Sequence, residues 1–82
     1  MPRYFFDTDD GDRVYRDDDG TTLASVHEVI DEARKLTFDL FYGSPTVGRT
    51  IIACVARDEA GGIVYRLMMD VSGATGPRAD LG

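Results

Sequence analysis

Two β-hairpins flanking a single helix, an α+β domain of ββαββ order, is the fold this sequence predicts. Three observations predict it. Short aromatic or β-branched runs occur in two pairs, each pair separated by a turn that closes on glycine (Gly11 and Gly61). Between the pairs, apolar residues recur at helical spacing from Val26 to Phe41. The chain has 82 residues, of which 43% are hydrophobic, which allows one core and no second domain.

The first strand is Arg3-Tyr4-Phe5-Phe6-Asp7, turning through Thr8-Asp9-Asp10-Gly11 into a return strand from Arg13 to Asp17. A bulged three-residue turn sets Arg3 opposite Asp17, Phe5 opposite Tyr15 and Asp7 opposite Arg13. Two opposite-charge pairs then flank an aromatic pair. Asp17-Asp18-Asp19-Gly20 ends the hairpin. Ser25-Val26-His27-Glu28 has capping-box spacing, with the Ser hydroxyl aimed at the amide three residues on and Glu28 reaching back. Val26, Val29, Ile30, Ala33, Leu36, Thr37, Leu40 and Phe41 form the buried stripe of the helix. Gly43 is its natural stop, and Pro45 follows. Phe38 and Tyr42 project off the stripe.

Thr50–Arg57 and Ile63–Asp70 make the second hairpin around Asp58-Glu59-Ala60-Gly61. The turn implies Ile51 opposite Met69, Ala53 opposite Leu67 and Val55 opposite Tyr65, and this face is expected to meet the helix. Ile52, Cys54, Ala56, Val64, Arg66 and Met68 are expected on the other face, which is less polar than a solvated face should be. The sheet is expected to have four strands with the helix on one face. The helix-containing link is long enough for a right-handed crossover if the first hairpin contributes a strand parallel to the third. Residues 1–70 form the domain, and 71–82, without periodicity, are read as a flexible tail.

Composition removes several function classes. Fifteen acidic against nine basic residues give a net charge of −6, and seven of the acids lie within the first twenty residues. Such a surface repels nucleic acid and anionic membranes, and no basic stripe offsets it. The single Cys54 excludes an internal disulfide and a cysteine-based zinc site. In an apolar strand it reads as a buried, inert thiol. With no signal-peptide pattern and no long apolar run, the protein is expected in the cytoplasm.

No residue set stands out as catalytic. His27 lies near a helix start with no Ser-His-Asp or Cys-His spacing around it, so it reads as a surface residue. With twelve aspartates some carboxylate pair always falls at a glycosidase-like distance, so such a pair carries no information. Gly20-Thr21-Thr22 lacks a phosphate-binding pattern, and no cofactor is expected. Tyr4, Phe5, Phe6 and Tyr15 lack the positive groove that single-strand binders need. The acidic turns do not match the calcium-loop spacing, because the first ligand is missing before both Gly11 and Gly20. Asp9, Asp10, Asp12, Asp17, Asp18 and Asp19 remain as an irregular divalent-cation alternative.

The opening Met1-Pro2-Arg3-Tyr4-Phe5-Phe6, the Asp10-Gly11-Asp12 turn, the Asp17 to Gly20 step, Glu32-Ala33-Arg34 in the helix and Val55-Ala56-Arg57-Asp58-Glu59 before Gly61 carry a likeness. Over about residues 1–70 the chain resembles an uncharacterised family of small proteins abundant in rhizobia and related alphaproteobacteria, a domain of unknown function. Members often place His or Asn after the Phe-Phe pair and Leu-Pro-Asp before the helix. Here those places hold Asp7, Thr8 and Leu23-Ala24-Ser25, so no role passes to a histidine there. The resemblance implies a bacterial origin and the fold, and no activity.

The expected function is a non-enzymatic, self-associating interaction module, most simply a homodimer. Its interface is expected at Phe5, Tyr15, Phe38, Tyr42, Ile52, Cys54, Val64 and Met68. Capture of a peptide from another protein by strand addition is a further alternative.

Overall fold

The computed structural model describes residues 1–43 and 50–71. Six elements follow in order: β1 (Arg3–Asp9), β2 (Val14–Tyr15), β3 (Thr21–Thr22), α1 (Val26–Gly43), β4 (Thr50–Arg57) and β5 (Ile63–Val71). The stop signal at Pro45 and residues 72–82 of the expected tail lie outside the described residues, whereas Val71 belongs to β5.

The class is α+β: the described residues form one helix and an antiparallel sheet of five strands, one more than expected. The extra strand arises because the return arm of the first hairpin is broken in two. β2 pairs with the end of β1 (Thr8 with Tyr15, Asp9 with Val14), and β3 pairs with its start (Arg3 with Thr22, Tyr4 with Thr21). Tyr15 therefore faces Thr8, three residues from the expected Phe5. Side-chain carboxylates cause the change. Asp9 Oδ1 accepts from the Gly11 amide at 2.9 Å, and Asp10 Oδ1 from the Asp12 and Arg13 amides, both at 2.8 Å. These bonds build a longer turn, and β1 runs on to Asp9 before reversing.

β4 lies beside β1 and β5 forms the far edge, giving the order β2-β1-β4-β5. β4 is antiparallel to β1, with Phe6 opposite Ala56 and Thr8 opposite Cys54. The helix thus returns the chain to an antiparallel neighbour, and the parallel crossover does not occur.

The second hairpin corrects the expected face. Arg57 pairs with Ile63 as the turn implies, held by Asp58 N–H to Gly62 O at 2.9 Å and Gly61 N–H to Asp58 O at 3.0 Å. A bulge between Ala56 and Arg57 then makes Val64 an extra residue. Beyond it Ala56 faces Tyr65, Cys54 faces Leu67 and Ile52 faces Met69. One inserted residue exchanges the faces of β5 relative to β4. Ile52, Cys54 and Ala56 are 0% exposed and lie under the helix, while Ile51, Ala53 and Val55 line the outer face.

Helix α1 follows its sequence signals. The Glu28 amide donates to Ser25 Oγ at 3.3 Å, and Glu28 Oε1 accepts from the Ala24 amide at 2.8 Å, one residue earlier than the usual reciprocal bond. Val29, Ala33 and Thr37, one turn apart, are fully buried; Thr37 Oγ1 donates to the Ala33 carbonyl at 2.8 Å. These are small side chains, as are Cys54 and Ala56, which share the core cluster with Val29 and Ala33. Phe6 completes the core, with Tyr4, Leu23, Leu36, Val64 and Tyr65 packed at its rim. Val26 and Ile51, expected inside, are exposed, as is Val14. Among the described residues no helix is long and apolar enough to cross a membrane.

Candidate functional site

The outer face of the sheet is the surface where the residues of most interest converge. Register places four rows across it: Phe5, Arg57 and Ile63; Asp7, Val55 and Arg66; Asp9, Ala53 and Met68; and Ile51 beside Asp70. Its two ends differ in chemistry.

At the β1 end, ionic and aromatic groups lock together. Arg57 Nε donates to Asp7 Oδ2 at 2.6 Å and Nη2 to Asp7 Oδ1 at 3.0 Å, a two-pronged pair whose side chains are only 17% and 19% exposed. The same Nη2 reaches the Asp17 carbonyl at 3.3 Å, and the guanidinium lies 5.3 Å from the centre of the Phe5 ring. The Asp17 amide in turn donates to Asp7 Oδ1 at 3.0 Å. Asp17 supplies the missing part of the ladder: its Oδ2 accepts the Phe6 amide at 3.0 Å, and its Oδ1 the amides of Asp19 and Gly20 at 3.1 and 3.0 Å. Gly20 has φ 77°, and a Cβ there would lie 2.7 Å from Arg3 Cγ and 2.9 Å from Phe5 Cε2, so only glycine lets this loop lie down.

Electrostatics follow from the contacts. Arg57 holds the Asp7 carboxyl below its ordinary range, more than offsetting the opposing effect of burial, and Asp7 correspondingly raises the Arg57 pKa. Burial alone would raise Asp17, but three backbone amides outweigh it and bring it below its usual value. The Asp12 and Arg13 amides likewise lower Asp10, whose Oδ2 also accepts from the Tyr15 hydroxyl at 3.3 Å. These are hydrogen-bonded structural carboxylates, and none is raised toward neutral pH as a general acid would be.

At the β5 end exposed apolar side chains stand beside the charged Arg66 and Asp70, and among the described residues no element covers them. Met68 is 59% exposed, and Ile51 and Ile63 are also exposed, next to half-buried Val55 and Ala53. A depression between Asp9, Gly11, Thr50, Ile51, Ala53 and Met68 opens onto it. On the helix side a second open depression runs between Glu32 and Leu36 of α1 and Thr8, Tyr15, Arg16 and Thr21 of the broken edge.

The expected interface residues are not brought together. Met68 lies on the outer face, and Phe5 lies there beneath Arg57. Ile52 and Cys54 are buried under the helix and cannot line an outer surface, and Val64 packs at the core rim. Burial pushes the Cys54 thiol up to about 11, with Asp7 and Glu32 adding to the effect. Tyr15 shares the helix side with Thr8, and Phe38 and Tyr42 sit on the exposed part of the helix. Nor do the acidic turns converge: among the described residues no three His, Cys, Asp or Glu side chains stand close enough to hold a metal. Asp9, Asp10 and Asp17 spend oxygens on turn amides, and Asp12, Asp18 and Asp19 are exposed. His27 is exposed on the first turn of α1.

Residues 3–70, from the start of β1 to Asp70 in β5, match the family model described as a domain of unknown function, DUF6894. The chain belongs to this family. No curated protein and no solved structure matches the chain. The DUF6894 match spans the Asp7–Arg57–Asp17 cluster and the apolar rows alike, so both fall within the family domain. The Asp7–Arg57 pair joins residues 50 apart in sequence. The opposite signs were legible, but their meeting depends on β4 lying beside β1.

Proposed function

We propose that this DUF6894 domain is a non-enzymatic self-association module whose partner is a second copy of the chain. One observation carries the reading. The sheet has a helix on one face only, and the other face presents Ile51, Ala53, Val55, Ile63 and Met68 without a covering layer among the described residues. Two-layer domains bury one face of each element, and an uncovered apolar sheet face marks an interaction surface. The Asp7–Arg57 pair at its border supplies the polar rim of such an interface. Among the described residues the buried apolar core consists of Phe6, Val29, Ala33, Ile52, Cys54 and Ala56, a small set to whose stability a partner adds.

An alphaproteobacterial source, suggested by the Met1-Pro2-Arg3-Tyr4-Phe5-Phe6 opening, and a cytoplasmic location belong to the same proposal. Molar mass by light scattering over a wide concentration range tests it. A dimer is expected, and Met68→Glu is expected to return it to monomer. A wild-type chain that stays monomeric throughout overturns the proposal.

A further inference from the structure

The outer edge of β5 lies beside the open face, and the direction of its backbone groups follows from one hydrogen bond. The Phe6 amide points away from β4, to Asp17 Oδ2 at 3.0 Å. Phe6 and Ala56 are therefore a non-hydrogen-bonded pair between β1 and β4, and Ala56 directs its own N–H and C=O toward β5. By alternation Cys54 and Ile52 do the same. Their partners Leu67 and Met69 turn inward to meet them, leaving Arg66, Met68 and Asp70 with N–H and C=O aimed outward. The side chains of these three also share the open face.

Among the described residues no strand pairs with this edge. It contains neither Pro nor Lys, residues that commonly block edge pairing. The opposite edge is broken by the Asp17 loop and carries Asp17, Asp18 and Asp19, so two such edges repel.

We infer that β5 pairs antiparallel with β5 of a second copy across a two-fold axis at Met68. This register sets Met68 opposite its own copy and Arg66 opposite Asp70 of the other chain, twice by symmetry. All three pairs fall at hydrogen-bonded positions. Opposite charges directly across antiparallel strands are favourable, whereas a two-fold at Leu67 would set Arg66 against Met68 and lose both ion pairs. A carboxylate accepts from more than one donor, so the pairing adds to whatever Asp70 contacts in its own chain. The product is one continuous ten-stranded sheet, with both helices on one side and both apolar faces on the other.

This inference rests on the reading that the chain self-associates, but it places the contact along the β5 edge and leaves the outer face without a covering layer, so the test separates the two. Sedimentation and light scattering on the full chain would compare wild type with Arg66→Asp, Asp70→Arg and the double exchange. Each single change puts like charges across the axis and is expected to weaken the dimer about tenfold or more, while the double restores it to within about threefold. Met68→Cys provides a readout independent of Asp70. Paired Cα atoms about 5.5 Å apart allow a disulfide, so mild oxidation is expected to join two chains through position 68, identified by peptide mapping. A wild-type dimer unaffected by Arg66→Asp and giving no crosslink at 68 overturns the edge register while leaving self-association standing. A wild-type monomer at every concentration overturns both.

Discussion

At the scale of single residues, this fold uses aspartate as a backbone partner. Asp17 replaces a neighbouring strand for the Phe6 amide, and Asp7 holds Arg57 across to β4. Replacing Asp7 with Asn leaves the partly buried guanidinium without its anion and is expected to cost about 2 kcal/mol in denaturant unfolding. The pH dependence follows in sign. The folded-state pKa values of Asp7 and Asp17 are lowered, so their stabilisation is present above the ordinary carboxylate value, near pH 4, and is lost as pH falls through the lower folded values. The melting temperature is therefore expected to hold from about pH 7 to about pH 5 and to drop below about pH 4, less steeply in Asp7→Asn. An equal acid slope in the variant would show that other carboxylates govern the transition. None of these partners could be assigned from sequence: Asp17 was expected to face Arg3, because a turn rule counts residues and does not weigh a carboxylate that can replace a ladder bond.

At the scale of elements, the helix was the most legible part, since its cap and its stripe are local signals. Ser25→Ala is expected to lower stability by about 1 kcal/mol through loss of the cap. The second hairpin was legible at its turn and misread beyond it. Val64 inserts one residue, and every later partner changes face. Both faces of β4 are apolar, so composition could not arbitrate between Ile51 and Ile52. Packing does: Ile52→Ala is expected to cost about 3 kcal/mol, and Ile51→Ala less than about 1 kcal/mol. Equal losses in chemical denaturation would contradict the bulged register. The broken return arm has the same kind of origin, since Val14-Tyr15 and Thr21-Thr22 are short segments divided by a loop that only Asp17 anchors.

At the scale of the molecule, the helix closes one face of the sheet, and no element among the described residues covers the other. Cys54 lies in the closed layer, fully buried, with its thiol pushed up to about 11. It is expected to react with a thiol reagent only as fast as the domain unfolds, and rapid labelling of folded protein would place it at an accessible surface instead. Phe38 and Tyr42 lie on the helix, away from the open sheet face. Serine at either position is therefore expected to leave the solution mass unchanged, in contrast to Met68→Glu. Loss of the dimer in Tyr42→Ser would shift the interface to the helix.

By itself the sequence determined the class, the helix with its cap and the two glycine turns. These depend on local periodicity and composition, which short-range sterics and burial dictate. Only the tertiary structure decided which apolar residues are inside, where Arg57 finds its carboxylate and which strand ends the sheet. Those outcomes turn on strand order and on a single bulge. A one-residue offset in a period of two exchanges inside for outside without changing any local signal.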